Sequence, residues 1–461
     1  MFSLYLPNSG WVRLIRNTAG EWEQEAKSRR FNATEPILIM LLILVTLWPF
    51  CYLFGVLPGN KWVQNAAVVP LFIGSLYLLF VSPWIHRDTP EAWGLGNPRR
   101  LAQYWRQGSW VRKVSLVLAM GVVFCGLNYM NYSHWADVVK FIGARSLGWQ
   151  EWKSSAGGRL GIFLFGCLLS SFILLFAIRY DNFLSAFRTA LFVAVPLFAL
   201  ICLGAYAQRG TAAFRGFQPS KFFLDVFGYV FWGFVQQLLF SSFFGTRFRK
   251  AFAPSRAHNN TRPVSERISL ALRCGVGTAI VLSLGLFVTV RALYPSNLTP
   301  PQLILWLMAF TFPFGAAFGW FYGKDRKRLL VSVLAASCFG LIHIDSYGLV
   351  LVTWMLGTIL VYVFMEDRNR NLVALGFIHG LLGSSFNWLF SSRESGALEV
   401  DYRVGPWNVE EPTAGVLVIP LLCIAAYLIL LAYVIRSVND EPEDSACADS
   451  NRAVLSEVAS A

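Results

Sequence analysis

The chain has 461 residues, of which 56% are hydrophobic and only 14% are charged. Soluble globular domains carry roughly a quarter charged residues, so this composition excludes the ordinary soluble classes. The formal net charge is +13, but the lysines and arginines are grouped in alternate loops and not in a single basic domain. We therefore expect an integral membrane protein whose partner is the lipid bilayer and which binds no nucleic acid.

Apolar segments long enough to cross a bilayer recur along the whole chain. A spanning helix needs about 20 predominantly apolar residues. The sequence predicts an all-α, polytopic helical bundle of about twelve spans, at residues 36–57, 66–85, 114–132, 160–178, 189–207, 222–244, 268–290, 302–322, 329–345, 346–365, 372–391 and 413–435.

The basic residues alternate from loop to loop. They are concentrated in residues 87–113, 247–267 and 324–328, whereas segment 292–301 carries none. By the positive-inside rule, the basic loops and both termini are expected in the cytoplasm, and an even number of spans agrees with that arrangement. We expect a multi-pass protein of the plasma (inner) membrane.

Four regions follow from these patterns. Residues 1–35 form a polar cytoplasmic lead, and residues 36–220 hold the first spans, which carry few polar residues at depth. Residues 221–435 hold the spans with the more polar interiors. Residues 436–461 are acidic and rich in small residues, which predicts a disordered tail.

Polar side chains stand out in three of the predicted spans. Gln236 and Gln237 are adjacent in FVQQLLFSSFF, His343 lies in SCFGLIHIDSYG, and His379 lies in LGFIHGLLGSSFNWLF. An unpartnered amide in hydrocarbon costs on the order of a few kcal/mol. Ionisable groups within spans are rare and mark function by default. These four residues are therefore the candidate functional groups.

Helical spacing places these side chains on shared faces with their neighbours. Residues four apart lie on the same side of a helix. The resulting groups are Gln237 with Ser241, Phe339 with His343, and His379 with Gly383 and Asn387. Because glutamine both donates and accepts hydrogen bonds, it can pair with imidazoles. We expect the three helices to face one another around a shared cavity.

These segments resemble the CAAX-protease and bacteriocin-processing (CPBP) family of glutamic-type intramembrane endopeptidases. That family carries the motifs EExxxR, FxxxH and HxxxN on separate helices. FGLIH, from Phe339 to His343, matches the second motif, and His379 is the histidine of the third. The resemblance covers roughly residues 220–391.

The first and third motifs depart from the family pattern. QQLLFS takes the place of EExxxR, so that Gln236 and Gln237 stand at the glutamates and Ser241 stands at the arginine. Gly383 stands where the third motif has asparagine. His343 lies 106 positions after Gln237, a longer gap than is usual in the family, and the excess holds two extra spans, 268–290 and 302–322.

The resemblance implies an endopeptidase that acts on membrane-associated proteins or peptides. In the family, the first glutamate and the second-motif histidine activate water, and the third motif stabilises the oxyanion. Glutamine cannot accept that proton near neutral pH, so His343 or His379 would have to act as the base, with Asp345 as the nearest carboxylate. Asn387 is a substitute oxyanion donor only if its helix shifts by about a turn. Neither a cofactor nor a metal ion is predicted.

Three functions stay open at this point. The first is an intramembrane endopeptidase with a neutral, variant site. The second is a catalytically inactive family member, or pseudoenzyme, that binds membrane peptides. The third is a permease whose histidines line a solute path. Twelve spans suit a permease, but the sequence shows no internal repeat and no acid–base pair within the predicted spans.

Overall fold

The structure is a computed structural model that describes residues 29–86, 88–141, 149–253, 262–293, 299–344, 347–390, 405–409 and 412–438. Expectations for the polar lead up to residue 28, for the tail from residue 439 and for Asp345 lie outside these ranges. Within the described ranges the chain is helical and contains no strand. The predicted all-α, polytopic helical class is confirmed.

The helices are numbered in chain order. They are α1 (Arg29–Val56), α2 (Lys61–Ile85), α3 (Pro98–Gln107), α4 (Trp110–Ser133), α5 (Trp135–Phe141), α6 (Ala156–Ala177), α7 (Phe183–Arg209), α8 (Pro219–Phe252), α9 (Val264–Leu293), α10 (Pro300–Lys324), α11 (Arg326–Leu341), α12 (Tyr347–Phe364), α13 (Leu372–Phe390) and α14 (Val418–Ser437). Helix α8 contains a π-helical segment, Leu238–Phe244.

Ten helical segments among the described residues are long and apolar enough to cross a membrane. They correspond to ten of the twelve predicted spans. The other two, 329–345 and 346–365, correspond to α11 and α12, which have only 16 and 18 residues. Helix α11 ends at Leu341, just before His343, and half of its residues are buried against neighbouring helices. The ninth and tenth predicted spans are thus short helices.

The basic loops lie together at one side of the bundle. Hydrogen bonds connect these loops and both ends of the described chain: Arg29 Nε to Ala251 O at 3.0 Å, Arg30 Nε to Val438 O at 3.2 Å, Arg249 Nη1 to Met365 O at 2.7 Å, Lys250 Nζ to Asp88 Oδ1 at 2.5 Å, and Arg262 N to Gly323 O at 3.0 Å. The described chain therefore begins and ends at the same side of the bundle. We call this the basic side.

Helices α8 and α13 approach each other closely at glycines. A Cβ atom added at Gly380 would lie 2.6 Å from Val230 N, and one added at Gly376 would lie 2.7 Å from Val230 O. From the other helix, a Cβ at Gly233 would lie 2.8 Å from His379 Cβ. Small residues at helix interfaces let backbones come together in membrane proteins. This contact brings the helix of the glutamine pair against the helix of His379.

The two extra spans form a hairpin that is packed in the same way. A Cβ at Gly315 would lie 2.5 Å from Cys274 O, and one at Gly319 would lie 2.4 Å from Leu270 O. These glycines are four residues apart on α10 and so form one face against α9. Helix α10 also contacts α12, where the rings of Phe321 and Tyr362 lie 4.6 Å apart. The hairpin is therefore attached to the rest of the bundle through α10.

Candidate functional site

A cavity of about 440 Å³ lies among helices α7, α8, α10, α11, α12 and α13. Its lining includes five of the residues singled out in the sequence: Gln236, Phe339, His343, His379 and Gly383. The remaining lining is mainly aliphatic and aromatic, and it contains no Asp, Glu, Lys or Arg among the described residues. The cavity is therefore mainly apolar, with a few uncharged polar side chains.

Phe339 is the ring that both imidazoles contact. Its centroid lies 5.8 Å from that of His343, edge to face, and 5.7 Å from that of His379. Phe240 of α8 packs on the same ring at 4.8 Å. One phenyl ring thus holds together the helix end that carries His343, the helix of His379 and the helix of Gln236.

Four polar atoms of the cavity-lining residues are buried without a hydrogen-bond partner among the described residues, and one of them is Tyr362 Oη. The other three, Gln236 Oε1, His343 Nδ1 and His379 Nδ1, belong to residues singled out in the sequence. The three side chains belong to residues only 8%, 4% and 9% exposed. Leaving a buried polar group unpaired costs about 1–3 kcal/mol. Because natural proteins rarely accept that cost without a reason, three such groups on one cavity indicate a site that hydrogen-bonds an incoming molecule.

Gln237 is placed differently from Gln236. Its Oε1 accepts a hydrogen bond of 2.5 Å from Ser241 Oγ, and both residues are fully buried outside the cavity lining. The expectation that the two glutamines face the histidines together therefore holds for Gln236 alone. Adjacent residues on a helix point about 100° apart, and the π-helical turn that begins at Leu238 shifts the following faces further.

Of the two other residues predicted on α13, one lines the cavity and the other does not. Gly383 lines the cavity, next to Tyr229, whose ring would lie 3.4 Å from an added Cβ. Asn387, one turn further along α13, is not a lining residue. The structure therefore does not bring Asn387 to the cavity, where it would have to lie to replace the family's asparagine as an oxyanion donor.

The inserted hairpin contributes directly to the cavity. Helix α10 supplies five apolar lining residues: Pro313, Phe314, Ala317, Phe318 and Phe321. Two extra spans between the first and second motifs therefore do not separate the polar residues. They add one wall of the cavity that contains them.

A buried ion network was not predicted from the sequence. Arg247 of α8 donates from Nε to Glu35 Oε2 of α1 at 2.8 Å, and its Nη2 lies 2.7 Å from Asp88 Oδ2. Lys250 Nζ donates to Asp88 Oδ1 at 2.5 Å, and His86 Nε2 lies 2.9 Å from Glu35 Oε2. All five side chains are buried. We call these five residues the Arg247 network.

The acid–base pair of the Arg247 network lies just beyond the predicted spans, which is why the search within those spans found none. Glu35 and Arg247 fall just outside the predicted spans 36–57 and 222–244, whereas helices α1 and α8 extend past those limits and include them. The repeated basic residues in TRFRK, at the end of an apolar helix, were the available signal. None of the five residues lines the cavity.

Charges in the network set the ionisation of the residues that follow α2. Burial opposes ionisation of Asp88, but the neighbouring Arg247 and Lys250 outweigh it and hold the pKa of Asp88 well below its usual value. Burial and the charge of Arg247 lower the pKa of His86. At neutral pH two carboxylates therefore face two cations with His86 neutral, so the network is balanced in charge.

Comparisons with known proteins leave the family open. No family model, no curated protein and no solved structure matches the chain. The likeness to the CPBP endopeptidases therefore rests on the residues of the three short motifs. The common position of Gln236, His343 and His379 on one cavity is the structural observation that bears on function.

Proposed function

We propose that the cavity binds a membrane-associated protein or peptide and hydrolyses one of its peptide bonds. The observation that carries this proposal is the set of unpaired polar atoms of Gln236, His343 and His379 on one apolar cavity. A peptide bond has a strong donor and a strong acceptor, and it needs partners for both when it leaves water. The apolar lining suits the side chains of a membrane-associated substrate.

Histidine is the residue type in the cavity that can act as a base near neutral pH. An imidazole nitrogen of His343 or His379 would take a proton from water while the water oxygen attacks the scissile carbonyl carbon. The C–N bond then breaks, and the same proton passes to the leaving amine. General-base catalysis of this kind contributes roughly 10²–10⁴-fold.

Gln236 has a different role in this mechanism. Its amide cannot act as the base, but its NH₂ group can donate a hydrogen bond to the developing oxyanion. Removing one such donor typically costs roughly 10²–10³-fold in kcat. The Gln236 side chain therefore supports the reaction by stabilising charge, while one of the histidines moves the proton.

Binding without hydrolysis is the second candidate, and one observation favours it. The described lining contains no carboxylate, and the positions of the family's second glutamate and arginine are paired with each other as neutral residues, Gln237 and Ser241. In such a pseudoenzyme the same polar atoms would hold a peptide bond without activating water. A permease remains the third outcome of the test.

The test is cleavage of membrane peptides by the purified full chain in lipid. Peptides with one apolar segment would be incubated with the wild type and with His343→Ala, His379→Ala and Gln236→Ala, and products would be identified by mass spectrometry. Thr358→Ala is the matched control, because Thr358 lines the cavity but its hydroxyl already donates to Trp354 O at 2.9 Å. Photo-crosslinking of the same peptides reports binding.

The proposal predicts cleavage by the wild type, loss of cleavage in at least one histidine variant and a partial loss in Gln236→Ala. Thr358→Ala should cleave like the wild type. Crosslinking without any product, lost in the histidine variants, would establish the binding protein instead. If peptides neither cleave nor crosslink, but histidine changes abolish uptake of a solute, the permease is the correct function.

A further inference from the structure

A surface helix and the start of the following span form a basic and aromatic surface. Helix α3 is amphipathic, and none of its residues is buried. It leads directly into α4, which has 24 residues and is apolar enough to cross a membrane. We define the α3–α4 basic surface as Tyr104, Trp105, Arg106, Arg112 and Lys113.

Aromatic rings of α3 lie beside cations of α4. The Arg112 guanidinium carbon is 5.2 Å from the centre of the Tyr104 ring, and Lys113 Nζ is 5.9 Å from the centre of the Trp105 ring. Both distances fall in the range of cation–π attraction. Each contact connects the two helices, so the cations are held on the same surface as the rings.

No carboxylate neutralises this surface among the residues that the structure describes. Arg106, Arg112 and Lys113 form no ion pair there, and Arg106 and Arg112 are exposed. Arg100, on the same helix, is in contrast paired with Glu91 at 2.9 Å and with Asp181 at 3.3 Å. The positive charge of Arg100, near the N-terminus of α3, is therefore balanced by carboxylates, whereas that of Arg106, near its C-terminus, is not.

The surroundings of these cations are those of a lipid interface. The apolar part of α4 has no buried residue, and its first residues Trp110 and Val111 are 78% and 71% exposed. Arg112 and Lys113 belong to the first turn of the same helix. Acyl chains can therefore lie along α4 while their headgroups are at the level of the three cations.

We infer that the α3–α4 basic surface binds the headgroups of anionic phospholipids. Each Lys or Arg near an anionic membrane surface contributes about 1 kcal/mol, which corresponds to about fivefold in binding. Tyrosine and tryptophan favour the headgroup level of the bilayer. The ligand is a lipid and not free phosphate, because the exposed apolar side of α4 adjoins the cations.

The test measures lipids that remain bound to the purified full chain. Native mass spectrometry would compare phosphatidylglycerol and phosphatidylcholine with the same acyl chains, on the wild type and on Arg106→Gln/Arg112→Gln. The matched control is Arg215→Gln/Lys221→Gln, which also removes two exposed positive charges. Arg215 lies between α7 and α8, and Lys221 lies in the first turn of α8, at the end of that helix away from the basic side.

The wild type should retain phosphatidylglycerol in preference to phosphatidylcholine, and the Arg106/Arg112 variant should lose most of that preference, about fivefold for each charge. The control should keep it. Equal loss in both variants would overturn the inference, because it would show an effect of total charge alone. Displacement of the lipid by inorganic phosphate at matched ionic strength would also overturn it, since the surface would then be an anion site.

Discussion

Arg247 of α8 and Glu35 of α1 form a buried ion pair across 212 positions of the chain, with Nε 2.8 Å from Oε2. The same guanidinium also contacts Asp88, so that one residue joins α8 to α1 and to the segment after α2. Because Gln236 is on α8, the first spans hold the helix that carries part of the candidate site. This gives the spans before residue 220 a structural role.

The first prediction concerns this ion pair. Arg247→Ala should destabilise the protein by about 3–5 kcal/mol, because it leaves the buried Glu35 carboxylate without its cation and leaves Asp88 paired with Lys250 alone. Thermal unfolding of the purified protein in detergent measures the effect. Arg262→Ala is the control, since the Arg262–Glu266 pair is exposed and should contribute less than about 1 kcal/mol. Equal effects of the two changes would contradict the structural role of Arg247.

A second prediction concerns the contact between α8 and α13. Gly380→Ala would place a Cβ 2.6 Å from Val230 N, so the two backbones must separate. We expect destabilisation and, because His379 is adjacent, weaker binding at the cavity. Gly277→Ala on α9 is the matched control: its Cβ meets nothing within 4 Å, and alanine favours a helix by up to about 1 kcal/mol. A Gly380→Ala variant as stable as the wild type would contradict the prediction, because it would show that α8 and α13 can move apart without loss of stability.

Restoring the family residues gives a third prediction. Gln236→Glu alone should gain little activity, because no Lys or Arg of the described residues lines the cavity and a lone buried carboxylate would take up a proton. The triple change Gln236→Glu, Gln237→Glu, Ser241→Arg also introduces an arginine on α8, at a position buried just outside the cavity lining. The double change Gln237→Glu, Ser241→Arg is its control.

The readout of the restored variants is cleavage of a membrane peptide, with thermal unfolding to check that each variant folds. If the triple variant cleaves and neither the parent nor the double variant does, the parent is a neutralised protease scaffold. If the parent cleaves and the triple variant is folded but slower, the neutral site is itself the working site.

Topology provides a fourth prediction. Single cysteines at Arg262 and Thr299, in a chain without its eight native cysteines, should label from opposite sides of the membrane. The reason is that α9, with 30 residues, is the connection between these positions and is long enough to cross once. The basic side, with Arg262, is expected in the cytoplasm. Labelling of both positions by an external impermeant reagent would contradict the assignment.

A fifth prediction concerns pH. Burial opposes ionisation of Asp181, but Arg179, at 3.0 Å, and Arg100 outweigh it and hold the pKa of Asp181 below its usual value. A carboxyl whose pKa is lowered on folding stabilises the folded state fully when the pH is above the pKa of the unfolded chain, about 3.9. This stabilisation is lost as the pH falls through the pKa of the folded state. Thermal unfolding should therefore show stability decreasing below about pH 4. Asp181→Asn should make stability depend less on pH in this range. An unchanged pH profile in this variant would argue against a contribution from Asp181.

The sequence alone identified the class, the spans and the main polar residues. Long apolar segments are visible without a structure, because a helix that crosses hydrocarbon must be apolar over its length. Gln236, His343 and His379 were visible for the same reason, since buried polar groups contrast with their surroundings. Helical spacing also brought Phe339 and Gly383 into the same group, and the structure places both on the cavity.

Only the tertiary structure decided which polar groups are paired with each other. Gln236 and Gln237 are neighbours in sequence, yet one lines the cavity and the other is bonded to Ser241, because helix geometry turns them apart. Glu35 and Arg247 have no local relation at all. Their pairing depends on how α1 and α8 pack, and sequence separation carries no information about that contact. The sequence thus determined which residues need a partner in the membrane, and packing determined which partner each one has.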